Sequence, residues 1–440
     1  MGATMIRKLA MPLALAAGVV VQVQAADALA GPALLVDAAS GRVIYANDEA
    51  TDRWFPASVT KLMTTYVVLK EVHSGRLSLD TPLKVSARAA SQQPSKMGFK
   101  PGTTVTVDNV LKMMLVKSAN DLAVVLAESV GGSVENFADL MNAEARRLGM
   151  YDSFFVNPHG LPDGRQYVSA KDLAILARAL LNDFPQFTPY YGIGGVRLGK
   201  RVFNNTNGLI GRYPGADGMK TGYICSSGFN VVATATRNGR RLIAVVLGEK
   251  TATARTLHTA ALFDRGFSGM SWGSQRLEQL PGARLAAPPD LREDVCGKGR
   301  NNLVDDDNAQ MAPVEASASG NGDSPFAFLL GQGQVRTTPM MGATPGSLVK
   351  RAKIEPVPVF TGPAPGSERA PKSVPQEPAI AGNVPAVKPA AATAYVPEPV
   401  VEAGAAAPMA LQGALGLLPP PGAGKSKATA RSAPMPPRRP

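Results

Sequence analysis

Apolar and polar positions follow an ordered pattern over residues 27–280. Two short apolar runs, Ala33–Asp37 and Arg42–Ala46, flank the stretch Ala38-Ala39-Ser40-Gly41 and predict a strand, a turn and a strand. After the break at Pro56, the sets Val59, Met63, Val67 and Leu62, Tyr66, Leu69 recur at helical spacing. Together they form the broad apolar face of a buried helix. Between Val105 and Asp183 the same spacing gives further helices, among them Asp121–Val130, Val134–Leu148 and Ala170–Leu181. Phe229–Thr236 and Arg241–Leu247, joined by Asn238-Gly239, read as a β-hairpin, and a helix over Thr251–Phe267 follows. Strands at both ends with helices between them predict an α/β domain: a mixed antiparallel sheet from N- and C-terminal strands, with an all-helical lobe inserted.

The pattern stops near residue 280. Eleven of the 37 prolines precede residue 281 and 26 lie from Pro281 onward, and the large aromatic residues of that last part are only Phe326, Phe328, Phe360 and Tyr395. So few large apolar groups cannot offset the entropy of ordering a chain, which predicts a Pro/Ala-rich, largely disordered tail over 281–440. Within it, Met409–Leu418 is interrupted by Gly413 and Gly416 and is too weak an anchor for an interfacial helix. At the other end, Arg7 and Lys8, the apolar run Leu9–Val21 and the small-residue end Val23-Gln24-Ala25 read as a signal peptide over 1–26, cleaved near Ala25 or Ala26. The run is shorter than a membrane span, which needs about 20 residues. An exported protein of the periplasm or cell envelope is expected.

The net charge is +12, but the basic residues are scattered and do not interleave with aromatic ones, which argues against nucleic acid. A basic C-terminus with Lys425, Lys427, Arg431, Arg438 and Arg439 fits weak contact with an anionic envelope polymer or membrane surface. Cys225 and Cys296 have no second cysteine or histidine nearby, so no structural metal is expected, and no cofactor is implied.

Three short motifs carry candidate chemistry. Ser58-Val59-Thr60-Lys61 sets a hydroxyl and an ammonium one helical turn apart, the spacing that a serine nucleophile and a lysine base need. The helix start adds N–H groups suited to a developing oxyanion. Ser118-Ala119-Asn120 falls between two helices, and Lys220-Thr221-Gly222 lies just before the hairpin, where an edge strand can pair with an extended peptide. Each alone is weak evidence. The ordered set S-x-x-K, then S-x-N about 60 residues on, then K-T-G about 100 residues later, is specific.

In these motifs the sequence resembles the exported serine D-alanyl-D-alanine carboxypeptidases, the low-molecular-mass penicillin-binding proteins. Pro56–Thr64, Asn157-Pro158-His159-Gly160-Leu161, Asp217–Tyr223 and Gly228-Phe229-Asn230 are all similar to that family. The resemblance implies a β-lactamase/transpeptidase-like fold over 27–280 and removal of the terminal D-alanine from peptidoglycan stem peptides ending in D-Ala-D-Ala. It further implies that β-lactams acylate the enzyme. Residue by residue, Ser58 is the implied nucleophile, Lys61 its base and Ser118 a proton relay. Asn120 holds the substrate's peptide bond, and Lys220, Thr221 and Gly222 receive the substrate's end. The N–H groups of Ser58 and Tyr223 form the oxyanion hole, and Arg255 helps seat the carboxylate. A free lysine has a pKa of about 10.4, so Lys61 works as a base only if burial or a neighbouring cation such as Lys220 favours its neutral form.

Other readings compete. A histidine-based hydrolase finds no G-x-S-x-G elbow near His73, His159 or His258, and structural roles fit these residues better. A class A β-lactamase carries Ser-Asp-Asn where this chain has Ser118-Ala119-Asn120, and no matching loop glutamate is seen. An endopeptidase that cuts cross-links uses the same three motifs, and a non-catalytic wall-binding scaffold is the alternative from a different class. Finally, Cys225 and Cys296 are expected to pair and pin the start of the tail beside the site, with two buried free thiols as the alternative.

Overall fold

The computed structural model describes residues 31–269, 274–297 and 348–362. In chain order it begins with β1 (Ala33–Asp37) and β2 (Val43–Ala46), then a 3-10 turn, Ala57–Thr60, that runs straight into α1 (Lys61–His73). The lobe follows: β3 (Pro82–Lys84), α2 (Ala87–Ala90), β4 (Thr104–Thr106), α3 (Val107–Lys117), α4 (Asn120–Gly131), α5 (Val134–Leu148), α6 (Ala170–Asp183) and α7 (Thr188–Tyr191). The chain returns through β5 (Gly195–Leu198), β6 (Arg201–Asn204), β7 (Ala216–Ile224), β8 (Gly228–Arg237), β9 (Arg240–Glu249) and α8 (Ala252–Phe267). Two short pieces end it, α9 (Arg292–Cys296) and β10 (Val357–Val359).

The main sheet has the order β2-β1-β9-β8-β7, so the N-terminal strands join the C-terminal ones in one sheet, as expected, through the pairing of β1 with β9. Asn238 and Gly239 both take positive φ, 50° and 74°, and close a two-residue turn between Arg237 and Arg240. That backbone matches the twist of the strands it joins. β8 and β9 are apolar almost throughout because both faces are covered. Val232, Ile243, Val245 and Leu247 face the main core. Val231, Ala233, Leu242, Ala244 and Val246 pack with Ala260, Leu262 and Phe263 of α8. In the lobe, the first eight residues of α4 are all buried, which is why that helix lacks a polar face. Its neighbours are delimited by side-chain caps: Thr106 accepts from Asn109 N–H, Ser133 from Asn136 N–H and Ser169 from Asp172 N–H.

Two pieces of the Pro/Ala-rich part, residues 281–297 and 348–362, pack onto the domain formed by the preceding residues. Leu291 and Val295 are buried, and β10 pairs in parallel with β5, making a second sheet of order β10-β5-β6. Composition misses this because an added edge strand is held by backbone groups and a few apolar side chains, and an edge tolerates Pro356 and Pro358. Residues 1–26, Met409–Leu418 and the basic C-terminus lie outside the described residues. Among the described residues, no helix is long and apolar enough to cross a membrane, and no group of side chains could hold a metal ion.

Candidate active site

Ser58 and Lys61 sit at the junction of the 3-10 turn and α1, where a spacing of three directs both side chains to one face. Lys61 is fully buried, and its Nζ lies 2.9 Å from Ser58 Oγ, 2.7 Å from Asn120 Oδ1 and 2.8 Å from the His159 carbonyl oxygen. The amide and peptide oxygens can only accept, so each must take an N–H. A neutral amine has two N–H groups and one lone pair. An ammonium would donate to all three oxygens; in the neutral amine, with both N–H groups so used, the lone pair is left for Ser58 Oγ and can receive the hydroxyl proton.

Backbone proximity holds the Ser58 turn in place. Asn230 Nδ2 donates to the carbonyls of Phe55 (2.9 Å) and Pro56 (3.0 Å), while its Oδ1 accepts from Gly248 N–H. One buried amide thus ties the turn to the middle of the sheet. Its positioning role was not read from the sequence, although a lone Asn inside the apolar run Phe229–Ala235 was a usable signal. Gly160 and Gly222 let two further segments press against the same turn. A Cβ at Gly160 would lie 1.8 Å from Ala57 O, and one at Gly222 would lie 2.7 Å from Ser58 N.

The second motif turns the corner between α3 and α4. Ser118 takes a left-handed conformation (φ 65°, ψ 32°), which ends α3 and turns the chain into Asn120 at the start of α4. Asn120 is fixed at both ends of its amide: Oδ1 accepts from Lys61, and Nδ2 donates to Gln93 O. The third motif lies on β7, at the sheet edge. Lys220 Nζ donates to Thr221 O, and Thr221 Oγ1 lies 2.7 Å from Thr206 Oγ1. Tyr223 stacks on Phe229 at 4.1 Å, and the Arg255 guanidinium lies 5.9 Å from the other ring of that pair, Phe229. Ser58, Lys61, Asn120 and the β7 motif therefore converge on one turn, whereas Arg255 is buried on α8 beside the Phe229 ring of β8.

The sequence profile of the D-alanyl-D-alanine carboxypeptidase (Peptidase_S11) family matches residues 19–251, more than half of the chain. The chain belongs to this family. Over 241 residues it is 35% identical to the D-alanyl-D-alanine carboxypeptidase DacF of Bacillus subtilis, covering 54% of this chain and 61% of that protein. It thus spans about three fifths of that relative's length. The crystal structure of the D-alanyl-D-alanine carboxypeptidase DacD from Francisella tularensis is similar with a TM-score of 0.53 and 32% identity, over 54% of this chain and 70% of that one. Penicillin-binding protein D2 from Listeria monocytogenes, solved in its cefotaxime-bound form, gives 0.50 and 31%, over 54% and 97% of the two chains. The transpeptidase-like fold expected from the motifs is therefore the fold of this carboxypeptidase family member.

Cys225 and Cys296 are joined in a disulfide across 71 positions, with Tyr223 Oη 3.1 Å from Cys296 Sγ. The bridge ties α9 to the end of β7, next to the Tyr223 N–H expected in the oxyanion hole. In the chain-entropy picture a loop of this length contributes about 4 kcal/mol. Reducing the bridge, or replacing both cysteines by serine, is expected to lower unfolding free energy by about that much, read from denaturant midpoints with and without reductant.

His159 differs from an acid–base histidine. Burial first, and then the charges of Lys61 and Arg88, push its pKa from 6.5 down to about 3, so the ring is neutral at physiological pH. The unfolded chain takes up a proton at this ring below pH 6.5 that the folded protein refuses until about pH 3, so stability falls as pH falls through this window. His159→Gln is expected to remove that contribution. The stability of the variant relative to the wild type should rise by about 1.4 kcal/mol per pH unit on acidification, measured by urea unfolding between neutral pH and about pH 4.

Proposed function

We propose that the protein is an exported serine D-alanyl-D-alanine carboxypeptidase that trims peptidoglycan stem peptides through an acyl-Ser58 intermediate. The observation that carries this is the setting of Lys61 Nζ, with two obligate acceptors on one side and Ser58 Oγ 2.9 Å away on the other. Ser58 Oγ attacks the carbonyl carbon of the penultimate D-alanine while its proton passes to Lys61 Nζ. The N–H groups of Ser58 and Tyr223 receive the developing oxyanion. Collapse breaks the C–N bond, and the proton reaches the departing amine of D-alanine by way of Ser118. Water then repeats the sequence on the ester and frees Ser58. Asn120 orients the substrate's peptide bond, and Lys220, Thr221 and Arg255 supply charge and hydrogen bonds for its terminal carboxylate. Gly222 supports this reading by keeping β7 against the nucleophile's turn, so a peptide paired with that edge meets Ser58. The leader over 1–26 supports export to the envelope, where such a substrate is found.

Mass spectrometry after incubation with a β-lactam, followed by peptide mapping, tests the site, and release of D-alanine from a peptide ending in D-Ala-D-Ala tests the reaction. A stable adduct on Ser58 together with released D-alanine is the expected result. A folded protein that takes no label and neither hydrolyses the β-lactam nor releases D-alanine would leave only the scaffold reading.

A further inference from the structure

Residues 348–362 return to the catalytic domain beside the loop that follows β6, and this loop carries Thr206 to the hydroxyl of Thr221. We infer that this C-terminal strap is a brace for the carboxylate-binding end of the site, acting through Thr206 as a positioning residue. The inference rests on the proposed role of Thr221 toward the substrate's terminal carboxylate.

A threonine hydroxyl has one hydrogen to give. If Thr221 spends it on Thr206, none is left for a carboxylate, which can only accept. Thr206 donating to Thr221 frees the Thr221 proton to point at substrate. The loop is built to hold Thr206 there. Asn205 N–H donates to Gly194 O (2.9 Å), Asn205 Nδ2 donates to Ile193 O (2.7 Å), and Asn207 Nδ2 donates to Gly218 O (2.8 Å) on β7.

The strap clamps both ends of this loop. Val349 N–H donates to Arg212 O (3.0 Å) and Ala352 N–H to Gly211 O (2.8 Å), while Arg351 Nη2 lies 3.4 Å from Asn205 O. Ile354 lies between Gly211 in the loop and Gly194, whose carbonyl holds Asn205. A Cβ at Gly194 would lie 2.5 Å from Ile354 Cδ1, and one at Gly211 would lie 2.7 Å from the same atom. The missing side chains at Gly194 and Gly211 leave the hollow that Ile354 fills. Beyond it, β10 pairs with β5, and Gly362 N–H donates to Thr104 O (2.7 Å) at the lobe. A distant part of the chain therefore fixes a loop that meets the K-T-G motif through a hydroxyl.

The full-length protein tests this with Ile354→Asp, Thr206→Val and the double variant, with active sites titrated by a β-lactam and kcat and KM measured on a peptide ending in D-Ala-D-Ala. Each single variant is expected to raise KM about tenfold with kcat within about threefold, and the double variant to raise it no further, because both act through one hydroxyl. Ile354→Val should restore the wild-type KM. Should Ile354→Asp fail to fold, Ile354→Ala takes its place with a rise of about threefold in KM that vanishes in the Thr206→Val background. A purely structural strap would lower thermal stability and the titrated fraction of active sites but leave KM unchanged, and that result, or effects that multiply, overturns the inference. A wild-type protein that neither takes β-lactam nor releases D-alanine would instead defeat the proposed function itself.

Discussion

Replacing Lys61 by alanine is expected to slow β-lactam acylation of Ser58 by about a thousandfold or more, within the range of a lost general base. The second-order rate of adduct formation, followed by mass spectrometry, reads it directly. The physical ground is the hydrogen-bond arithmetic at Nζ: Asn120 Oδ1 and the His159 carbonyl each need a donor, which in the neutral amine leaves the lone pair for the serine proton. Lys61→Arg separates this role from simple electrostatics. A guanidinium keeps the charge but cannot give up its proton in a protein, so this variant should be about as slow as Lys61→Ala. Near-wild-type acylation by Lys61→Arg would assign Lys61 a charge-stabilising role instead. Lys61→Ala leaves two buried acceptors short of a partner, and its stability should fall by about 1–3 kcal/mol without loss of the fold.

Gly222→Ala is expected to be nearly as damaging, although it adds only a methyl group. The new Cβ would lie 2.7 Å from Ser58 N and 3.0 Å from both Pro56 O and Val59 N. All three are backbone atoms and cannot swing aside, so β7 and the nucleophile's turn must separate. The closest of them is the nitrogen whose N–H is proposed for the oxyanion hole. A displaced donor and a misplaced nucleophile together should lower the acylation rate at least about a hundredfold, with a stability loss of about 1–3 kcal/mol. Gly164→Ala is the control, because a Cβ there meets nothing within 4 Å and its acylation rate should be that of the wild type. Equal rates for the two variants would show that β7 and the Ser58 turn tolerate separation.

Much of the architecture was legible from local pattern. Asn238-Gly239 announced its hairpin because few residue pairs accept two positive φ angles in succession. The helices over Val134–Leu148 and Ala170–Asp183 were readable from apolar spacing, the second to within two residues of its end. β5 and β6 escaped notice because they have only four residues each and no alternation of buried and exposed positions marks them. β10 was hidden among prolines. Ser58, Lys61, Ser118, Asn120 and Lys220-Thr221-Gly222 were named as site candidates from motif order. Asn230 and Thr206, which hold the turn and the loop, were not assigned those roles.

By itself the sequence determined the secondary-structure plan and the residue types of a serine and lysine site, since each is encoded within a few turns of chain. Only the tertiary structure decided that the His159 carbonyl, 98 positions away, occupies one face of the Lys61 amine. It likewise decided that Gly160 and Gly222 are the points of closest approach to the Ser58 turn, and that residues 348–362 return to brace the loop of Thr206. These contacts join distant segments through carbonyls, amides and absent side chains, groups that every residue or any glycine can supply, so no local pattern singles them out.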